Sequence, residues 1–157
     1  MRDFLQRRIV APLLSLLRQG VTPKRLALSV ALGTGIGLVP VLGVSTAMCA
    51  AAALAFGLNL PAIQLVNYLL TPVQLLLIIP QLRLGEWLAG APAFPITLES
   101  GLEMLSQGVW SAVRELSTAI LHATLGWLAA APLLVFLLYL TLAEVFRRLS
   151  PATRTAS

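Results

Sequence analysis

Charge is what this chain lacks where a soluble protein needs it. From Leu26 to Leu82 it runs 57 residues without one Asp, Glu, Lys, Arg or His. Charged residues make up 11% of the whole chain and hydrophobic ones 58%, against roughly 25% charged in an average soluble domain. Mean hydropathy is +0.89. A bilayer excludes charge for a physical reason, since an ionised side chain near its centre costs at least ~3 kcal/mol. The composition therefore argues against a soluble domain and predicts the core of an integral membrane protein. Cysteine is equally scarce: with Cys49 alone, no internal disulfide and no Cys-rich metal site can form. The single histidine, His122, leaves little material for general base chemistry. At 157 residues one domain is expected.

What charge there is lies at the ends. The net charge is +5, which by itself would suit nucleic acid, but its distribution argues otherwise. Six of the eleven basic residues fall in the first 25 positions, as Arg2, Arg7, Arg8, Arg18, Lys24 and Arg25. Arg147, Arg148 and Arg154 close the chain. Basic residues flanking apolar spans follow the positive-inside pattern and favour anionic headgroups. Membrane lipids are thus the expected partners, with a homo-oligomer left open and nucleic acid not expected. The first apolar run is interrupted by Arg18, Lys24 and Arg25 and lacks a small-residue cleavage site, so a cleavable signal peptide is not expected.

In order, residues 1–25 read as a basic amphipathic segment, helical over 2–19, with Phe4, Leu5, Ile9, Leu13, Leu16 and Leu17 at helical spacing. Thr22 and Pro23 suit a helix N-cap and first position. Residues 26–90 form the expected membrane core. Its first half is interrupted by Pro40-Val41-Leu42-Gly43, leaving apolar halves Leu26–Val39 and Val44–Gly57 of 14 residues each. Each half spans ~21 Å as a helix, short of the ~30 Å hydrocarbon layer, so a re-entrant hairpin or one discontinuous span is expected. Ser29, Gly33 and Gly37 recur every four residues and make a face on which another helix can pack closely.

The second apolar segment, Leu58–Leu82, carries Pro72 near its middle, read here as a further break alongside Pro40 and Gly43. Gln64, Asn67, Thr71 and Gln74 fall at i, i+3, i+7 and i+10, within ~80° of a helix circumference. Such a stripe should face protein or a wet cavity rather than lipid. Arg83 and Glu86 can pair at i, i+3, and Trp87, Trp110 and Trp127 suit interfacial belts or core packing. Residues 91–123 read as a Pro-rich link and an amphipathic surface helix, 124–149 as a last span containing Pro132, and 150–157 as a frayed tail. Both termini are basic, whereas the loop from Arg83 to Leu121 has two Arg against four Glu. Cytoplasmic termini follow, so Leu26–Leu82 must cross an odd number of times, and the Leu26–Gly57 hairpin is the better candidate for re-entry.

Several of these stretches are shared with a known family. They are Pro12-Leu13-Leu14, Leu28-Ser29-Val30-Ala31-Leu32-Gly33, Gly35-Ile36-Gly37-Leu38-Val39-Pro40-Val41-Leu42-Gly43 with Thr46, Leu58-Asn59-Leu60-Pro61-Ala62, Asn67 with Thr71-Pro72, and Arg83-Leu84-Gly85-Glu86-Trp87-Leu88. Over about residues 7–90 the chain resembles the bacterial membrane family designated domain of unknown function 2062, with the last span outside the likeness. The resemblance implies a bacterial inner-membrane protein and no particular activity.

Chemical motifs are weak. Gly33-Thr34-Gly35-Ile36-Gly37-Leu38 lacks the last glycine and the acidic ribose partner of a dinucleotide loop. Gly43-Val44-Ser45-Thr46-Ala47 lacks the second glycine of a nucleophile elbow, and His122 lies far along the chain. No enzyme, metal or cofactor is expected. Ser45 and Thr46 instead follow the Pro40–Gly43 break and precede a helical run, so either can be its N-cap. A helix start inside the membrane suits an anionic group. The expected ligand site is Ser45, Thr46, Asn67, Thr71 and Gln74; the bland alternative is a turn satisfied from within, where these side chains cap backbone and knit helices. The expected fold is all-α and membrane-embedded, with Pro/Gly-broken helices and amphipathic surface helices. The expected function is small-solute or lipid transport or handling through the broken-helix polar site, its rival a non-catalytic scaffold or assembly factor acting through the Ser29–Gly33–Gly37 face.

Overall fold

In the computed structural model, residues 22–41, 43–97, 99, 106 and 108–149 are described. The amphipathic helix expected over 2–19 and the tail from Ser150 lie outside the described residues. Helix α1, Pro23–Gly37, begins where the sequence places a cap: Thr22 is extended and its side chain accepts the Arg25 N–H at 3.4 Å, with Pro23 in the first turn. It stops at Gly37, three residues before Pro40, whose ring a continuing helix could not admit. Helix α2, Val44–Phe56, starts behind Gly43 at φ 85° and ends at Gly57 at φ 59°. The N-cap is therefore Gly43, and Ser45 and Thr46 sit inside the first turn. The expectation that one of them caps α2 is corrected, because a glycine in the left-handed region turns the chain two residues earlier.

Helix α3, Leu60–Ala89, is capped by Asn59, whose side chain accepts the Ala62 N–H at 2.8 Å, and it ends at Gly90. Pro72 does not break it. Both Pro72 and Pro80 lie inside this one helix, and both are exposed. A proline ring on the outer face costs the helix a hydrogen bond without wedging it away from its neighbours. Helix α4, Val109–Leu149, runs through Pro132 and through the boundary expected near residue 123. The surface helix and last span expected as separate segments are thus continuous from Val109 onward. Among the described residues the protein is all-helical, and α3 and α4 are long and apolar enough to cross a membrane.

Contacts fix the arrangement. Leu26, Ala27, Ala62 and Phe146 cluster, so the starts of α1 and α3 share one end of the bundle with the end of α4. Leu82, Ala119 and Ala123, with Phe94 against them, mark the opposite end. Helix α2 returns toward the first end, where Cys49, Ala53 and Leu58 pack on Ile63. The α1–α2 hairpin therefore enters and leaves at the same end, its break lying beside the middle and later turns of α3. Small residues permit this nesting. A Cβ on Gly33 would come within 2.8 Å of the Ile63 carbonyl, and one on Gly37 within 3.2 Å of Asn67 Cα. Ser29 donates to the Arg25 carbonyl and accepts the Asn59 N–H at 3.2 Å. At the far end α3 and α4 touch backbone to backbone. A Cβ on Gly85 would sit 1.7 Å from the His122 carbonyl oxygen, and one on Gly126 2.0 Å from that of Gln81.

Candidate functional site at the helix break

A helix that ends inside a protein leaves carbonyl groups needing donors. Here α3 and α4 supply them. The Trp127 indole N–H donates to the Gly35 carbonyl at 2.7 Å, Gln81 Nε2 to Leu38 O at 2.9 Å, and Gln74 Nε2 to Val39 O. The Val39 N–H closes back on Ile36 O at 3.0 Å. Leu38, Val39, Gln74 and Gln81 are all buried, where a missing donor would cost ~1–3 kcal/mol. Trp127, expected at a membrane interface or in the core, is half-buried and ties α4 to α1.

The α2 side of the break is held differently. Gln64 Nε2 donates to the Thr46 carbonyl at 3.0 Å, and Asn67 Nδ2 lies 3.4 Å from both Thr46 Oγ1 and Gln64 Oε1. The amides therefore grip the first turn of α2 through its oxygens. Gly43 brings no side-chain cap to the N–H end of that helix.

Of the five expected site residues, Thr46 and Asn67 meet directly. Gln74 serves the carbonyl side of the same break, and Ser45 is buried in the first turn of α2. Thr71 is exposed on the outer face of α3. Pro40 and Gly43 do mark the break. Ser29, Gly33 and Gly37 face α3 within the same chain. Sequence reasoning missed Gln81, although it continues the amide row by one more heptad step from Gln74, and its Oε1 is buried without a partner. At the far end, Arg83 and Glu86 pair at 2.8 Å as their spacing suggests. They also read both polar groups of Phe94: Glu86 Oε1 accepts its N–H at 2.7 Å, and Arg83 Nη2 donates to its carbonyl at 3.1 Å. Nothing in the local sequence pattern indicates that second contact.

These features define a class: a protein all-helical among the described residues, with two helices of membrane-spanning length and a half-length hairpin tied to them by buried amides. The chain belongs to the DUF2062 family, uncharacterized proteins conserved in bacteria, which it matches over residues 6–154. The match includes the last span, which the motif resemblance had left out. Comparison with curated proteins and with solved structures yields no match.

Proposed function

We propose that this is a multi-pass protein of the bacterial inner membrane that handles a small solute or lipid at the α1–α2 break, without catalysing a reaction. In this reading α3 and α4 cross the bilayer, α1–α2 is re-entrant, and both termini are cytoplasmic. Support comes from the outer faces, where Leu54, Leu76 and Leu121 are 84%, 76% and 67% exposed, as lipid contact would favour. Charge supports the orientation. Lys24, Arg25, Arg147 and Arg148 stand at the end shared by Leu26 and Phe146, against Glu144 alone.

The observation that carries the ligand reading is the asymmetry of the break. Its carbonyl side is met by Trp127, Gln74 and Gln81, whereas the N–H end of α2 has no side-chain cap. N–H donors without a side-chain cap at a helix start suit an oxygen-rich or anionic group. The scaffold alternative loses support, since the Ser29–Gly33–Gly37 face is occupied by α3.

Native mass spectrometry of the detergent-purified protein tests the reading. The wild type should retain a reproducible solute or phospholipid adduct, and the Thr46→Ala/Asn67→Ala double variant should lose it at unchanged helicity and yield. An unchanged adduct profile, or no adduct in the wild type, overturns it. Labelling of cysteines introduced at Gly57 and Ser100, in a Cys49→Ala background, should report opposite sides of the membrane.

A further inference from the structure

The geometry points to a second binding site, for an anionic glycerophospholipid, in the groove between the start of α1 and the last turns of α4. It rests on the membrane reading and is independent of any ligand at the helix break. The groove holds about 470 Å³ and is lined by Pro23, Lys24, Leu140, Ala143, Glu144 and Arg147, with Thr22 at its edge. Its chemistry is divided. Lys24 and Arg147 are exposed cations. Glu144 offsets one charge among Lys24, Arg147 and Arg148, so this end stays positive. Glu144 is held by Arg147 at 2.6 Å and by Arg148 at 2.7 Å, which fixes the Arg147 head while most of its N–H donors stay free.

The floor of the groove is apolar and does not stop at its rim. Leu140, Leu137 and Leu133 are 50%, 52% and 62% exposed and follow one another at steps of three and four along α4. A track of this kind, leading from two cations along a spanning helix, matches a phosphate headgroup with its acyl chain. A free phosphate would use only the cations.

The test reconstitutes the full chain into vesicles of phosphatidylcholine containing phosphatidylglycerol. Two quantities are read: resistance of the inserted protein to alkaline extraction, and the ratio of phosphatidylglycerol to phosphatidylcholine adducts in native mass spectra. The wild type should insert and select phosphatidylglycerol, and high salt should weaken the selection. Lys24→Gln/Arg147→Gln should lower the ratio by about tenfold, less than the roughly thirtyfold of two unpaired basic side chains near an anionic surface, because Glu144 offsets part of the Arg147 charge. Arg25→Gln removes one charge from the same end but outside the groove, and should lower it much less than Lys24→Gln alone. No loss in the double variant, or equal losses in Lys24→Gln and Arg25→Gln, overturns the site while leaving the membrane reading intact. Failure of the wild type to insert overturns both. Inorganic phosphate competing as well as phosphatidylglycerol would also overturn it, since the apolar track would then play no part.

Discussion

Pro40 and Pro72 stand in equally apolar stretches of one chain, yet the first lies at a chain reversal and the second inside a 30-residue helix. The difference lies in their surroundings. Pro40 is buried and is followed by Gly43, which turns the chain at φ 85°. The carbonyls left open just before it find Trp127, Gln74 and Gln81. Pro72 and Pro80 are exposed, so their rings disturb no neighbour, and α3 is clamped along its length by α1 and α4. A proline costs a helix interior ~3 kcal/mol. Whether that cost ends the helix depends on what packing opposes it and on whether the released carbonyls have other donors.

That comparison can be broken at its strongest point first. The clamp on α3 is tightest where Gly126 meets the Gln81 backbone. Gly126→Val should destabilise by about 3 kcal/mol or more, since neither backbone can move aside without separating the helices. Thermal unfolding in detergent, followed by circular dichroism, measures this, and a wild-type melting curve would show that the contact does not hold α3 and α4 together. Next, Gln81→Leu keeps the volume but leaves the buried Leu38 carbonyl without its donor, so a loss of ~1–3 kcal/mol is expected. The same substitution at the exposed Thr71 should change stability by less than ~0.5 kcal/mol. Equal effects at the two positions would mean that the break is not held by the amide row. In the opposite direction, Pro72→Ala should raise stability, by up to the ~3 kcal/mol that a proline costs a helix interior, with helix content unchanged. A marked loss of stability there would assign Pro72 a shaping role in α3.

Much of the hairpin was legible because it depends on local chemistry. Thr22 with Pro23 starts a helix through its own side chain, and glycine with proline at 40–43 stops one. The expected halves 26–39 and 44–57 accordingly lie close to the observed Pro23–Gly37 and Val44–Phe56. The amide row was legible as far as Gln74 through its spacing. Gln81 was lost because one further polar residue near a segment end carries no periodic signal of its own. The continuity of α4 was also missed. An amphipathic stretch that becomes apolar all round loses its period, and a single helix then reads as two segments.

Local sequence alone determined where helices begin, where the first apolar segment reverses, and which stretches carry no charge, because caps, glycines, prolines and hydropathy act within a few residues. Only the tertiary structure decided that Pro72 would be passed over, that Gly85 and Gly126 would meet, and that Trp127, Gln74 and Gln81 would cap α1. Each of these joins groups distant in sequence. Its energy comes from close packing or from satisfying a buried carbonyl, and neither exists until the helices stand side by side.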